Sequence, residues 1–411
     1  MTPLVPRLRI DLPIWLSRER NVFRERFPSL TRDLQADIAV IGGGVTGAAV
    51  AWRFAEAGVN VVLVEGRRIG RGSTAASTAL LMQEPDEDFT ALAQRYGRAR
   101  AVRIWELSRE STHEFAATLD RLDISCDLQP RDSVYYATTA RHARQLRSEH
   151  RMRVRAGLRA VWLEGAALRR TIGFDATAAI RTRGNAQVDP YRACIGLMRA
   201  AAGTGARVFE RSPVTSIRPS TRDVVVRCAR GTVRASRVII ATGYATPYFK
   251  PLGARFRMLT TYVVATRRLT LAERRRTGLN DVMLWDMERP YHYARWTPDR
   301  RLIFGGADRP LMPERQRRKA LEEGTRAVHA DLVRLYPALA DVPLEYAWEG
   351  LFATTPDGLP YIGPHRRYAR QLFALGYGGN GMTFGFLASR LLLEWYRGNR
   401  TKDHDLFAFS R

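Results

Sequence analysis

The residues best suited to chemistry come early in the chain. Gly42, Gly44 and Gly47 lie in the segment GGGVTG directly after the apolar run 37–41 (DIAVI), and Glu65 closes a second apolar run at 61–64. Gly42 permits a tight turn, Gly44 lets backbone approach a pyrophosphate, and Gly47 lets a helix pack closely on a strand. Val45 and Thr46 open that helix, so its N-terminus faces phosphate charge. A carboxylate about twenty residues beyond the glycines, followed here by Gly66, is where a ribose hydroxyl is received, and it repels a 2′-phosphate. This spacing predicts a dinucleotide with an unphosphorylated ribose.

Such residues need a strand, a turn, a helix and a second strand to hold them. Residues 45–57 are apolar with helical period and stop at Gly58, so 37–64 reads as a βαβ unit. Residues 70–79 (GRGSTAASTA) are small and hydroxyl-bearing where a nicotinamide enzyme would begin an ordinary helix. Ser73, Thr74, Ser77 and Thr78 can pass close to a longer cofactor and bond to it. The apolar run 238–243 (VIIATG) is a strand that seats Ala241, Thr242 and Gly243 against the dinucleotide unit.

Helical spacing recurs through Leu92, Tyr96, Val102, Trp105, Phe115 and Leu119, with no strand before 133–138. A helix starts near Pro190 and leads into a β-meander over 207–241, with Gly231 in a turn. Further strands are expected over 260–266 and 291–305, around the turn Thr297-Pro298-Asp299, then a basic helix over 314–335 and a strand, glycine loop and helix over 372–395. The expected class is α/β (α+β overall): a Rossmann-type cofactor domain of discontinuous segments (36–88, 185–247 and 340–411), an interleaved mixed-sheet substrate domain (89–184 and 248–339) and an N-terminal extension (1–35).

The chain has 411 residues, is 45% hydrophobic and carries a formal charge of +25, from 66 basic and 41 acidic residues. Its cations are almost all arginine, Lys250, Lys319 and Lys402 being the lysines, and they are dispersed. Dispersion predicts a solvated surface and no specific nucleic acid partner. Cys126, Cys194 and Cys228 lie far apart without CxxC spacing, which argues against a disulfide framework and against a metal site. Arg7, Arg9, Arg18 and Arg20 near the start are interrupted by Pro3, Pro6 and Pro13, with no apolar signal core, and no run approaches the roughly 20 residues of a transmembrane segment. A cytoplasmic location is expected.

Toward the C-terminus stand Trp348-Glu349-Gly350, the segment PDGLPYIG at 356–363, and FALGYGGNGM at 373–382. Together with the glycine fingerprint they make the chain resemble the D-amino-acid oxidase (DAO) family of FAD-dependent oxidoreductases, over nearly its whole length from Asp37. The resemblance implies FAD and a small-molecule amine as partners. It places Ser73, Ser77 and Thr78 along the cofactor and Val214 beside the adenine. Gly378, Gly379, Asn380, Gly381, Met382 and Thr383 would open a helix toward the flavin ring, where exposed N–H groups stabilise the negative charge of reduction. No cysteine lies in 346–357 and no histidine in 65–77, so the FAD should be noncovalent. Phe352 stands where glycine oxidase-like members carry an arginine for the substrate carboxylate. Tyr291, Tyr293 and Arg295 share one strand face by alternation and are the expected substrate contacts, while His292 on the other face is expected to be structural. The expected reaction is hydride transfer from the carbon bearing a primary or secondary amine to flavin N5, giving an imine that hydrolyses, with O2 or another electron acceptor. Three alternatives remain at this point: a dehydrogenase of hydroxy compounds using a quinone or protein acceptor, an RNA-associated flavoprotein, and a noncatalytic FAD-binding subunit.

Overall fold

In the computed structural model, which describes residues 7–17 and 27–411, the chain folds into two sheets with helices packed between and around them. The smaller sheet has eight strands. Its parallel core runs Gln371–Leu375, Thr232–Gly243, Leu34–Ile41, Val61–Val64, Arg207–Phe209, and Tyr361–Pro364 adds antiparallel to the first of these. Alternation explains why the central strands are apolar throughout. Ile38, Val40, Val61 and Leu63 point into the cluster shared with helices Val45–Glu56, Pro190–Gly203 and Gly381–Tyr396, while Ala39, Ile41, Val62 and Val64 point into a second cluster on the opposite face. A parallel sheet covered on both faces requires this. Burying each such Val, Ile or Leu contributes about 1.5–3 kcal/mol.

The expected meander is present in part, as Val214–Pro219, Val224–Cys228 and the first half of Thr232–Gly243, paired antiparallel, whereas Arg207–Phe209, expected to begin it, pairs parallel with Val61–Val64. The helix expected near Pro190 starts there, with Asp189 as its N-cap: Oδ1 accepts from the N–H of Tyr191 and Arg192, each at 3.0 Å. The basic helix occupies Glu314–Leu335 as its period predicted.

The larger sheet has ten strands and is mixed. Its order is Arg9–Ile10, Leu344–Thr354, Arg257–Thr266, Leu302–Pro310, Tyr293–Trp296, Val282–Asp286, Gln129–Ala137, Ala178–Gln187, Leu80–Leu81, with Val161–Leu163 beside Ala178–Gln187. Two stretches differ from the sequence expectation. Ala178–Gln187 is a full strand although Arg181, Arg183 and Gly184 mask its pattern; its apolar positions are buried by the layers on either side. Leu344–Thr354, inside a segment expected to belong with the cofactor domain, instead pairs with Arg257–Thr266 in the larger sheet.

The described part of the expected N-terminal extension is built into the molecule. Arg9 and Ile10 pair with Gly350 and Glu349, and Trp15 donates its indole N–H to the Ser77 carbonyl at 2.8 Å. Residues 1–6 and 18–26 of that extension, including Pro3, Pro6, Arg18 and Arg20, lie outside the described residues. Among the described residues no helix is long and apolar enough to cross a membrane.

Candidate active site

The glycine turn is held by backbone on both sides. Gly42 has φ +112°, and a Cβ there would stand 2.5 Å from the Ala241 carbonyl oxygen; a Cβ on Gly47 would stand 1.9 Å from the Gly42 carbonyl oxygen. These contacts draw the start of helix Val45–Glu56 onto the turn. Gly47 is thereby the packing residue its spacing predicts; though counted with the cofactor-binding glycines, it does not itself line the cavity in front of the turn. No side chain of Gly44 caps the helix; Thr74 reaches in, and its Oγ1 accepts the Val45 N–H at 3.0 Å.

Glu65 leaves the end of strand Val61–Val64 beside this turn. Its Oε2 accepts the Gly43 N–H and its Oε1 the Arg67 N–H, both at 2.7 Å. Burial pushes this carboxyl above its ordinary range while the two N–H donors pull it back.

In front of the turn lies one cavity of about 1560 Å³. Pockets for drug-sized ligands run about 300–1,000 Å³, so a long cofactor and a small substrate can share this space. Gly42, Gly44, Val45, Thr46, Glu65 and Gly66 line it, as do Ser73, Thr74, Ser77 and Thr78 from the small-residue stretch. Val214 and the strand end Ala241, Thr242 and Gly243 form another wall. The C-terminal loop supplies Gly378, Gly379, Asn380, Gly381 and Met382.

Several of these groups are already engaged. The Ser73 hydroxyl donates to the Leu351 carbonyl at 2.6 Å, and the Thr242 hydroxyl to the Tyr244 carbonyl at 2.8 Å. Gly378, at φ +58°, donates its N–H to Ala353, and Gly379 donates to Oδ2 of Asp86 at 2.6 Å. Those two amides therefore do not face the cavity as free donors, contrary to expectation. Gly381 and Met382, at the start of helix Gly381–Tyr396, line the cavity; no N-cap side chain caps that helix, and its first N–H groups have no partner within it. Thr383 is corrected too. It is fully buried, donates to the Met82 carbonyl at 2.8 Å and meets Thr112, away from the cavity.

At the far end of the cavity stand Tyr291 and Tyr293, whose ring centroids are 5.8 Å apart, and Phe352. Tyr293 shares a hydrogen bond with Thr261 at 2.7 Å. Arg295, expected beside these tyrosines, does not reach the cavity. It is 1% exposed, donates to the Val188 carbonyl at 2.7 Å and lies 4.8 Å over the Trp15 ring. Alternation gives the correct face, but two residues along a strand is about 6–7 Å of depth, and at that depth Trp15 covers it. His292 is clamped between Asp286, at 2.8 Å, and Asp331, at 3.1 Å, beneath the loop that carries Tyr291.

Asp86 and Asp308 were not singled out from the sequence, yet both line this end. Asp86 sits in the acidic run EPDED, which reads as the polar lead into a helix. Only its contact with a loop 293 residues away reveals another role.

Comparison with known proteins agrees with this geometry. The family described as FAD dependent oxidoreductase (DAO) matches residues 37–395. The chain belongs to the DAO family of FAD-dependent oxidoreductases. Within that family it is 30% identical over 386 residues to gamma-glutamylputrescine oxidoreductase of Escherichia coli (strain K12), covering 93% of this chain and 88% of that protein. It is 27% identical over 379 residues to glycine oxidase of Bacillus licheniformis, covering 91% and 96% respectively. The crystal structure of glycine oxidase from Geobacillus kaustophilus has the same fold, with a TM-score of 0.77 over 92% of this chain and 99% of that one at 22% identity.

The site of this DAO-family member suits FAD on its own geometry. Two helices, Val45–Glu56 and Gly381–Tyr396, begin without a cap from their own N-cap side chains at the wall of one cavity, and a carboxylate stands beside the first. A ligand with a pyrophosphate, a ribose and a ring that gains negative charge meets a matching group at each of these points.

Proposed function

We propose that this enzyme oxidises a small primary or secondary amine, with FAD held noncovalently along the cavity between the glycine turn at 42–47 and the loop at 378–382. The observation that carries the reading is the continuity of that cavity, from the dinucleotide turn to a compact end walled by Tyr291, Tyr293 and Phe352. When bound, FAD supplies the hydride acceptor, and the protein binds, orients and shields. In this reading Thr46 and the helix start behind it receive the pyrophosphate, and Glu65 receives a ribose hydroxyl. The N-terminal amides at Gly381 and Met382 favour the negative charge that reduction adds. Tyr291 and Tyr293 wall the substrate end and reduce its access to water. The lining contains neither cysteine nor histidine among the described residues, which supports a noncovalent cofactor.

Acid precipitation of the purified protein should leave a colourless pellet and a yellow supernatant absorbing near 450 nm, roughly where oxidised flavin absorbs. A pellet that stays yellow would refute noncovalent binding. Anaerobic mixing with a panel of amines and hydroxy acids should bleach the flavin with amines. Bleaching by hydroxy acids alone would remove the amine reading, and reoxidation in air then reports whether O2 is the acceptor.

Glu65→Ala should weaken FAD binding by about 10–100-fold, the loss of one charged hydrogen bond worth ~1.5–3 kcal/mol. Fluorescence titration of the apoprotein with FAD measures it, and an affinity equal to wild type would take Glu65 out of the cofactor site.

A further inference from the structure

The substrate end of the cavity carries more negative charge than its surroundings neutralise. Asp86 enters from the loop before helix Phe89–Tyr96, and Asp308 from strand Leu302–Pro310. The Gly379 N–H at 2.6 Å and the Asn380 side-chain amide at 3.1 Å fix the Asp86 carboxyl in place. Thr261 gives the Asp308 carboxylate one side-chain hydrogen bond, but its Oδ1 is buried and has no hydrogen-bond partner among the described residues. An unsatisfied buried acceptor costs about 1–3 kcal/mol, and more when charged. Burial pushes Asp86 up to about 7, with Glu87 and Asp308 adding to the rise, and pushes Asp308 up to about 6.

Neighbouring cations compensate this pair only in part: His292 draws on Asp308, but it is itself held by Asp286 and Asp331. Arg309 turns its guanidinium over the Tyr262 ring at 5.1 Å and toward Glu323 at 3.4 Å. Arg289 draws on Asp86 from a distance, while its own Nη1 donates to the Glu288 carbonyl. Phe352 contributes a ring and no guanidinium, next to the Ala353 carbonyl that anchors Gly378.

The absence of side chains at Gly378 and Gly379 lets the loop close on Asp86 and Tyr291. A Cβ on Gly379 would stand 3.0 Å from both Oδ1 of Asp86 and the Tyr291 hydroxyl, and a Cβ on Gly378 would stand 2.0 Å from Oδ2 of Asp86. Two mutually interacting carboxylates and two tyrosines lining one cavity are what an ammonium group requires: acceptors for its N–H bonds and ring faces for its charge.

We propose that Asp86 and Asp308 together receive the ammonium group of the substrate and that one carboxylate then takes a proton from it, leaving the neutral amine whose carbon gives up hydride, so that the enzyme selects alkylammonium compounds without a carboxylate on the reacting carbon. This deepens the amine reading and rests on it.

The test uses the FAD-loaded enzyme and two probes of equal shape and opposite charge, tert-butylammonium and pivalate; the ammonium has no hydrogen on the carbon bearing nitrogen and is not oxidised. Binding is followed by perturbation of the flavin absorbance. Wild type should bind tert-butylammonium at least about tenfold more tightly than pivalate. Asp86→Asn and Asp308→Asn should each weaken the cation by about tenfold or more while retaining the flavin spectrum. Equal or tighter binding of pivalate to wild type would overturn the proposal with no variant needed, and so would undiminished cation binding in both variants. Anaerobic bleaching by n-butylamine in an enzyme that prefers pivalate would leave amine oxidation standing and remove only this subsite. Bleaching by hydroxy acids alone would remove both.

Discussion

Gly47→Val is expected to give a protein that purifies colourless and unfolds well before the wild type. The added side chain begins 1.9 Å from the carbonyl oxygen of Gly42 and 3.0 Å from its carbonyl carbon. Both are backbone atoms, so no rotamer change relieves the clash. Overpacking of a well-filled core costs about 1–3 kcal/mol and more where backbone must move. Movement has no easy direction, because Gly42 already lies against the Ala241 carbonyl on its other side. The turn opens, the amides behind Gly44 lose their aim, and FAD affinity falls together with stability. The ratio of absorbance near 450 nm to that at 280 nm and a thermal melt measure the two effects. Gly203→Ala is the matched control: nothing lies within 4 Å of its added methyl, at the end of a helix. It should be neutral, or stabilising by up to about 1 kcal/mol. A yellow Gly47→Val protein with an unchanged melt would show that the helix does not seat on the turn as described.

Removing Glu349 should cost about 3–5 kcal/mol of folding stability. Its Oε1 accepts from Nε of Arg317 at 2.8 Å and from Nη2 at 2.6 Å, while Nη1 donates to the Arg7 carbonyl at 2.7 Å. Arg317 is 1% exposed and Glu349 fully buried, so Glu349→Ala leaves a buried guanidinium with only the half-exposed Glu314, at 3.7 Å, as counter-charge. The double replacement Arg317→Met with Glu349→Leu removes both charges and should recover most of that loss, since paired apolar groups of similar volume replace buried ion pairs at little cost. Denaturant unfolding of the two single variants and the double variant decides it. Additive losses would mean that the two side chains do not act as a pair.

The sequence was most informative where a function rests on neighbours in the chain. The turn at Gly42, the helix from Val45 and the carboxylate of Glu65 form one contiguous βαβ unit, so spacing alone located them. The helix Glu314–Leu335 followed from its period for the same reason. What could not be read depends on depth and on distant chain. Period-two alternation gives the face of Arg295 but not that Trp15 covers it. Thr383 occupies the first turn of a helix that does open at the cavity, yet its side chain turns to Met82 and Thr112. Asp86 is one of several acids in a row, and nothing local separates the one that meets Gly379 from Glu84, which is buried against Ser133 and Asn185. The two-residue strand Arg9–Ile10 is too short for any pattern, and its place follows from the long edge of Leu344–Thr354.

The latch between Asp86 and Gly379 also sets a schedule for synthesis. A nascent chain whose first 350 residues have left the ribosome already holds the glycine turn, Glu65 and Asp86. It lacks strand Gln371–Leu375, which lies against Thr232–Gly243, and the loop whose amides meet that carboxylate. Until those parts arrive, one side of the cavity is open to water and Asp86 has nothing to hold it. Capture of flavin therefore belongs to the closing moments of translation, and chains stalled before residue 371 should emerge without colour.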